Sequence, residues 1–348
     1  LRILIVKLSS LGDVIHALPV VHDLLKVHPG AQIDWVVEPG FAPLVRRVAG
    51  IGRVLECAQR RWRRSWWRLS VRREQRAFRQ LLQQEAYDAV LDLQGLTKSA
   101  VVAWRARLSA TGHRFALAHP TDGSGWEAPT RWVADRPIAM ERHIHVVDRS
   151  RALCARALGY PVEEPPDFGL QGARVAGEAA RTVVLVHGTS RDDKLWPEPL
   201  WVALGQRLVQ AGWRIALPQG SEEEGARARR LAEGIRLACA RPEAPGIDPC
   251  ELWPRMDLNA LAERMGRAGG CVGVDSGLSH LAVALDLIHV QIYNFPTAWR
   301  TGPQPSHGHV HQVSVGGEGA PTLDEVWAAW TQACERRGAA RAGAGVPA

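Results

Sequence analysis

A chain of 348 residues, 46 % of them hydrophobic, is too long for one ordinary core and fits two globular domains of roughly 150 residues each. No apolar run approaches the roughly 20 residues of a membrane span, no basic-apolar-small leader opens the chain, and the six scattered cysteines form neither CxxC zinc pairs nor a disulfide framework, so a reduced, cytoplasmic protein is expected. Lysine plus arginine exceed aspartate plus glutamate by 43 to 36, and the excess is concentrated: nine arginines and the single acid Glu74 lie between Arg60 and Arg79, a local field suited to a polyanionic partner.

Ile3 to Leu8 reads as a strand, and Val14, Ile15, Leu18, Val21, Leu24 and Leu25 recur at helical spacing to about Val27. Pro19 inside that pattern requires a kink or a late start. Asp13 therefore sits at a parallel strand's exit, with Ser9, Ser10 and the Gly12 backbone around it and Lys7 near the strand's carboxyl end. A second strand, Ile33 to Val37, leaves at the same sheet edge through Glu38-Pro39-Gly40, and Val54 to Glu56 makes a short third.

The segment Arg60-Arg61-Trp62-Arg63-Arg64-Ser65-Trp66-Trp67-Arg68 has two readings. One is a solvated helix face with its tryptophans against the core. The other is an anion-binding surface of guanidinium forks, which like-charge repulsion favours because a bound anion offsets it. Spacing alone does not separate nucleic acid from lipid. Arg72 to Gln84 is expected to be a helix with Phe78, Leu81 and Leu82 inward, followed by a strand Tyr87 to Leu93 with the exit loop Gln94 to Ser99. A helix from Thr97 to about Leu108, a strand Arg114 to Ala118, and a long loop over the cleft from 119 to 142 come next. The helix His145 to Leu158 stops at Gly159, and Tyr160 to Leu170 reads as a linker.

Thr182 to His187 restarts the strand-loop-helix rhythm. In its loop Thr189, Ser190, Arg191 and Lys194 suit a diphosphate, while Asp192 and Asp193 offer the basic groups internal partners; Pro197 stands at the first turn of the helix beyond. After the strand Trp213 to Leu217, the run Glu222-Glu223-Glu224 either complements a helix dipole or accepts from ribose hydroxyls. Asp257 caps a helix to Arg267, and the strand Cys271 to Val274 opens into Asp275-Ser276-Gly277-Leu278-Ser279-His280, whose first-turn N–H groups suit an anion. Asp275 or Ser276 is equally a simple helix cap, and His280 alone is as much structural as catalytic. The strand Val290 to Tyr293, the loop Asn294 to Pro303 and a helix Leu323 to about Arg337 complete the pattern.

Two doubly wound domains across a cleft suit a reaction between two substrates, a donor in the second half and an anionic acceptor in the first. The expected division is 1–170, linker included; 171–335, its last helix there or packed back on the first half; and a disordered tail 336–348. SSLGD after Leu8 is not GxGxxG, and no P-loop, HExxH or DxD pair occurs, so a dehydrogenase, a P-loop ATPase and a metal-dependent mechanism are disfavoured. A nucleic-acid-binding module would use the arginines and leave Asp13 and both anion loops without a role.

The blocks Lys7-Leu8-Ser9-Ser10-Leu11-Gly12-Asp13, Trp35-Val36-Val37-Glu38, Arg60-Arg61-Trp62-Arg63, Asp92-Leu93-Gln94-Gly95-Leu96-Thr97-Lys98-Ser99, Arg191-Asp192-Asp193-Lys194-Leu195-Trp196-Pro197-Glu198 and Asp275-Ser276-Gly277-Leu278-Ser279-His280 span residues 1 to about 335. In them the chain resembles the bacterial lipopolysaccharide heptosyltransferases of glycosyltransferase family 9, and its first block the heptosyltransferase I branch rather than the second-heptose branch. The resemblance implies an α/β fold of GT-B architecture, two Rossmann-like domains facing across a cleft. It implies metal-independent, inverting transfer of L-glycero-D-manno-heptose from ADP-heptose, a substrate and no cofactor, to the inner Kdo of Kdo2-lipid A. Asp13 would be the general base and Lys194 its catalytic partner. Thr189, Ser190, Lys194 and the donor loop Ser276, Gly277, Leu278, Ser279 and His280 would hold the diphosphate end, Asp275 the heptose hydroxyls, and Glu224, with Glu222 as the alternative, the ribose. Ser10, Gly12, Arg60, Arg61, Arg63, Arg64, Lys98 and His145 would serve the acceptor. A monomer is implied, without nucleic acid, peripheral on the cytoplasmic face of an anionic inner membrane. The chain departs from the family pattern at Asn294, where a glycine is usual, at Gln219, where a tryptophan is usual, and in the loop His119 to Arg136.

Overall fold

The computed structural model describes residues 1–162, 165–170, 181–240 and 248–343, and the chain divides into two units, Leu1–Gly169 and Leu170–Ala348. Residues 163 and 164 of the expected linker and 344–348 of the expected tail lie outside the described residues. The first unit contains β1 (Arg2–Val6), α1 (Leu11–Ala17), α2 (Pro19–Val27), β2 (Gln32–Val37), α3 (Ala42–Val45), β3 (Ile51–Glu56), α4 (Gln59–Arg64), α5 (Leu69–Gln83), β4 (Tyr87–Asp92), α6 (Thr97–Arg105), β5 (Leu108–Leu117), α7 (Pro129–Val133), β6 (Arg136–Ile138) and α8 (Val146–Leu158). Its sheet runs β3-β2-β1-β4-β5-β6 with every pairing parallel.

Ile3, Leu4, Ile5 and Val6 are all fully buried, which is why β1 is an unbroken apolar run: helices cover both faces of the sheet. Pro19 produces two helices instead of one kinked helix. α1 closes at Leu18, and α2 begins on the proline, whose missing N–H is harmless in a first turn. α8 stops where Gly159 turns left-handed at φ 75°.

Several elements differ from the sequence reading. Leu81 is 48 % exposed, because the buried stripe of α5 is Val71, Phe78 and Leu82. α6 ends at Arg105, and β5 starts at Leu108, well before Arg114. Its first half carries a register shift against β4, where a Cβ on Gly112 would lie 2.3 Å from the Tyr87 carbonyl oxygen; such a bulge hides the period-two pattern. The expected loop 119–142 contains α7 and β6, an edge strand in which Pro137 is tolerated.

The second unit contains β7 (Thr182–Val186), α9 (Glu198–Gln210), β8 (Arg214–Leu217), α10 (Glu222–Cys239), β9 (Cys250–Leu252), α11 (Leu258–Gly266), β10 (Gly270–Val274), α12 (Gly277–Ala284), β11 (Ile288–Tyr293), α13 (Ala298–Thr301), β12 (Gln312–Gly316) and α14 (Leu323–Gly343). The sheet order is β12-β11-β10-β7-β8-β9, again all parallel. Counted within its own unit, each sheet runs 3-2-1-4-5-6, so each has a switch point between its first and fourth strands, where loops diverge and ligands bind. The short edge strands β9 and β12 have no counterpart in the sequence reading. α14 carries helix through 336–343, where a tail was expected, and buries Val326 and Trp330 in the core of its own unit. Trp196 and Trp201 meet edge to face at 5.0 Å there, so these two of the chain's 14 tryptophans belong to the core.

Candidate active site

In the first unit the exits of β1 and β4 flank the switch point. Lys7, just past β1, is 1 % exposed and donates from Nζ to the Leu93 carbonyl oxygen at 2.8 Å. Its Nζ lies 3.8 Å from Oδ1 of Asp13, on the first turn of α1. The other oxygen of Asp13, Oδ2, accepts from the Ser10 backbone N–H at 3.0 Å and the Ser10 hydroxyl at 2.8 Å. One carboxylate oxygen is thus fixed by the helix start, and the other stands beside an ammonium in a side chain still 38 % exposed. Desolvation raises the Asp13 pKa, but the Lys7 ammonium, the Ser10 hydrogen bonds and Arg149 outweigh it and hold the carboxyl below its ordinary value. Burial lowers Lys7 to about 8, with Arg149 and Lys98 adding to the lowering and Asp13 and Asp92 opposing it. The arrangement is an ionised carboxylate with a free lone pair, which is what a general base needs.

The loop after β4 supports this corner. Gln94 accepts from the Leu8 and Ser9 N–H groups at 3.0 Å each. Asp92, buried and pushed up to about 6 by desolvation, accepts from the Gln94 and Gly95 N–H groups and from the Ser99 hydroxyl at 3.0 Å. Lys98 donates to the Ser9 hydroxyl at 2.7 Å, and its pKa is lowered by desolvation and then by Arg60. Ser10, Gly12, Asp13 and Lys98 are therefore brought together, with Gly12 buried in the first turn of α1. His145 caps α8, and its ring is 6.4 Å from that of His16 on α1.

α4 joins the same corner through Gln59, which donates to the Lys98 carbonyl oxygen at 3.1 Å, and through the Arg60 N–H, which donates to Glu38 at 3.1 Å. The arginines of α4 are not equivalent. Arg61 forms a forked pair with Glu74, which also accepts from the Trp62 indole at 3.0 Å; Arg60, Arg63 and Arg64 are exposed. Trp62 is core, as the solvated-helix reading requires, yet Trp66 and Trp67 are 61 % and 58 % exposed, so that reading fails for two of the three tryptophans. Sequence reasoning missed Arg149, which is 8 % exposed, donates to the Thr121 hydroxyl at 2.9 Å and acts electrostatically on both Lys7 and Asp13. Its available signal was a basic residue on the buried face of α8.

In the second unit the exits of β7 and β10 flank the corresponding switch point. Lys194 donates to Oδ2 of Asp275 at 2.5 Å, and Oδ1 of Asp275 lies 3.4 Å from His280 Nε2. Desolvation raises the Asp275 pKa, and His280 and Lys194 together drive it far below the carboxylate range. The Thr189 hydroxyl donates to the Asp275 carbonyl oxygen at 3.3 Å, tying the two loops together; Ser190 is exposed beside it. Arg191 is paired with Asp193, so the internal pairing foreseen for this loop removes the arginine and leaves the lysine.

α12 starts at Gly277 with Ser276 as its cap residue, and the buried Ser276 hydroxyl oxygen has no hydrogen-bond partner among the described residues. The Ser279 hydroxyl is committed to the Val274 carbonyl oxygen at 2.6 Å, so Ser279, like Gly277 and Leu278, offers only backbone. Glu224 folds back to accept from the Gly220 N–H at 2.6 Å, and a Cβ on Gly188 would lie 2.6 Å from its carboxylate, while Glu222 and Glu223 stay exposed. Two of the three departures from the family pattern are structural ties: Asn294 donates to the Asp193 and Leu195 carbonyl oxygens, and Gln219 to that of Trp253 at 2.8 Å.

The profile of glycosyltransferase family 9 (heptosyltransferase) matches residues 75–326. The chain is 38 % identical over 302 residues to lipopolysaccharide heptosyltransferase 1 of Escherichia coli K12, covering 84 % of this chain and 88 % of that protein. It is 38 % identical to the Pseudomonas aeruginosa protein of the same name, covering 84 % and 78 %, and 23 % identical to lipooligosaccharide heptosyltransferase 2 of Haemophilus ducreyi, covering 82 % and 80 %. The solved structure of E. coli heptosyltransferase WaaC with ADP is similar at a TM-score of 0.81 and 34 % identity, covering 97 % of this chain and 100 % of that one; the same protein with ADP-2-deoxy-2-fluoro heptose gives 0.77 with the same coverage.

Proposed function

This chain belongs to glycosyltransferase family 9, the heptosyltransferases, and from that premise we propose that it moves L-glycero-D-manno-heptose from ADP-heptose to the inner Kdo of Kdo2-lipid A with inversion. The observation that carries the reading is Asp13, an ionised carboxylate with one oxygen anchored by Ser10 and the other left to abstract a proton. As the Kdo hydroxyl attacks the anomeric carbon, its proton passes to Asp13, the bond to the diphosphate breaks, and ADP leaves with its charge met by Lys194 and the first-turn N–H groups of α12. Glu224 serves the ribose. His145, Lys98 and the exposed arginines of α4 hold the acidic acceptor.

The membrane contact is part of the same reading. Among the described residues no helix is long and apolar enough to cross a membrane. Trp66, Trp67 and Leu69 nevertheless stand exposed among Arg60, Arg63, Arg64, Arg68 and Arg72, a composition that suits peripheral contact with an anionic bilayer holding the lipid acceptor. Incubation with ADP-heptose and Kdo2-lipid A should yield an acceptor heavier by one heptose. No product with that acceptor, but product with an already heptosylated one, would move the assignment to the second-heptose branch. No product with either, together with a salt-sensitive shift of DNA, would return the arginines to nucleic acid. Trp66→Ser with Trp67→Ser should lower cosedimentation with phosphatidylglycerol vesicles without changing transfer to detergent-dispersed acceptor.

A further inference from the structure

The cation best placed for the donor's diphosphate is already engaged. Lys194 is held by Asp275 at 2.5 Å, and the carboxylate is 7 % exposed while the lysine is 20 % exposed. A nucleoside diphosphate that draws Lys194 to itself therefore strips a buried carboxylate of its nearest cation and brings further negative charge toward it. Breaking a buried pair by removing one partner is costly, and among the described residues His280 at 3.4 Å is left to answer it, with Arg191 acting from farther off. A diphosphate that carries a sugar brings its own remedy: a sugar hydroxyl donates to Oδ2, the oxygen that the ammonium vacates.

We propose that Asp275 is a specificity gate on the donor site, competing with diphosphate for Lys194 so that ADP-heptose is favoured over bare ADP. The proposal deepens the reading of Lys194 as the diphosphate's cation and rests on it. The same competition acts after transfer. Once heptose has left for the acceptor, no hydroxyl faces Asp275, the carboxylate takes Lys194 back, and ADP is released. Thr189, bonded to the Asp275 backbone, keeps the two loops in step during this exchange.

The test is calorimetric titration of ADP and of ADP-heptose into the full chain, with Asp275→Asn, Asp275→Ser, Lys194→Met and the Asp275→Asn/Lys194→Met double variant, each checked for an unchanged melting profile. Removing the charge at 275 should tighten ADP at least tenfold, leave ADP-heptose unchanged or weaker, and make ADP a stronger product inhibitor. The gain should shrink severalfold when Lys194 is already gone. If Lys194→Met weakens ADP but neither charge-free variant tightens it, the gate is overturned and the diphosphate reading stands. If Lys194→Met leaves ADP binding unchanged, the diphosphate reading fails and the gate with it.

Discussion

Each half of the molecule places a lysine and an aspartate at the switch point of a 3-2-1-4-5-6 sheet, and the two pairs are built inside out relative to one another. In the first half the lysine is buried at 1 % and the carboxylate of Asp13 is 38 % exposed; in the second the carboxylate of Asp275 is buried at 7 % and Lys194 is 20 % exposed. Burial decides which charge serves the fold and which is offered to a ligand. In the proposed reading the same two residue types serve as a base in one unit and a diphosphate cation in the other, because burial commits the inner member to the fold and leaves the outer one within reach of a ligand. The separations agree with this division: 3.8 Å leaves Asp13 Oδ1 room for a substrate proton, whereas Lys194 is clasped until something displaces Asp275.

The largest expected effect comes from breaking the first pair on its outer side. Asp13→Asn should lower kcat by about 10²- to 10⁴-fold with ADP affinity near normal; equal loss of donor binding would show that the two halves are not divided as described. Breaking the second pair on its outer side, Lys194→Met, should cost about 10²- to 10³-fold in kcat and weaken ADP, while leaving the acceptor's KM unchanged.

Lys7→Met probes an inner member. Without the ammonium the Asp13 carboxyl rises toward its ordinary value, so the acid limb of the kcat profile should move to higher pH; an unmoved limb would detach Lys7 from the base. Stability carries a second signature. Between about 8 and the ordinary 10.5 the unfolded chain keeps a proton on Lys7 that the native chain has released, so this residue's share of stability rises with pH across that window. Buried cysteines such as Cys57 and Cys250, pushed up to about 12, lower stability over the same window in both proteins, so denaturant midpoints measured at pH 8 and pH 10 should fall further in the variant than in the parent. The smallest effect concerns α4. Arg63→Gln with Arg64→Gln should raise the acceptor's KM roughly tenfold with no stability change, whereas Arg61→Gln should also loosen the Glu74 tie that braces Trp62, a small loss because the pair is exposed and screened by solvent.

Much of this was legible in the chain. Strand exits at Lys7, Leu93, His187 and Val274 follow from buried apolar runs ending in small polar residues, and they position Asp13, Lys98, Lys194 and Asp275 in the order in which the sheets use them. β9 and β12 were not legible, because short edge strands bury too little to impose a pattern. Neither was the bulged start of β5, nor the helix and strand inside 119–142, whose prolines read as loop.

Sequence by itself determined the class of fold, the two-part organisation and the residue types at each loop, because period and punctuation are local properties. Only the tertiary structure decided that Arg61 and Arg191 are occupied, that the Ser279 hydroxyl is committed, that Arg149 acts on Asp13, and that Lys7 and Asp275 lie inside while Asp13 and Lys194 face out. Those facts depend on partners between 2 and 136 positions away and on the solvent each group loses, and a charge's chemistry is set by that surrounding dielectric and by its nearest counter-charge rather than by its neighbours in the chain.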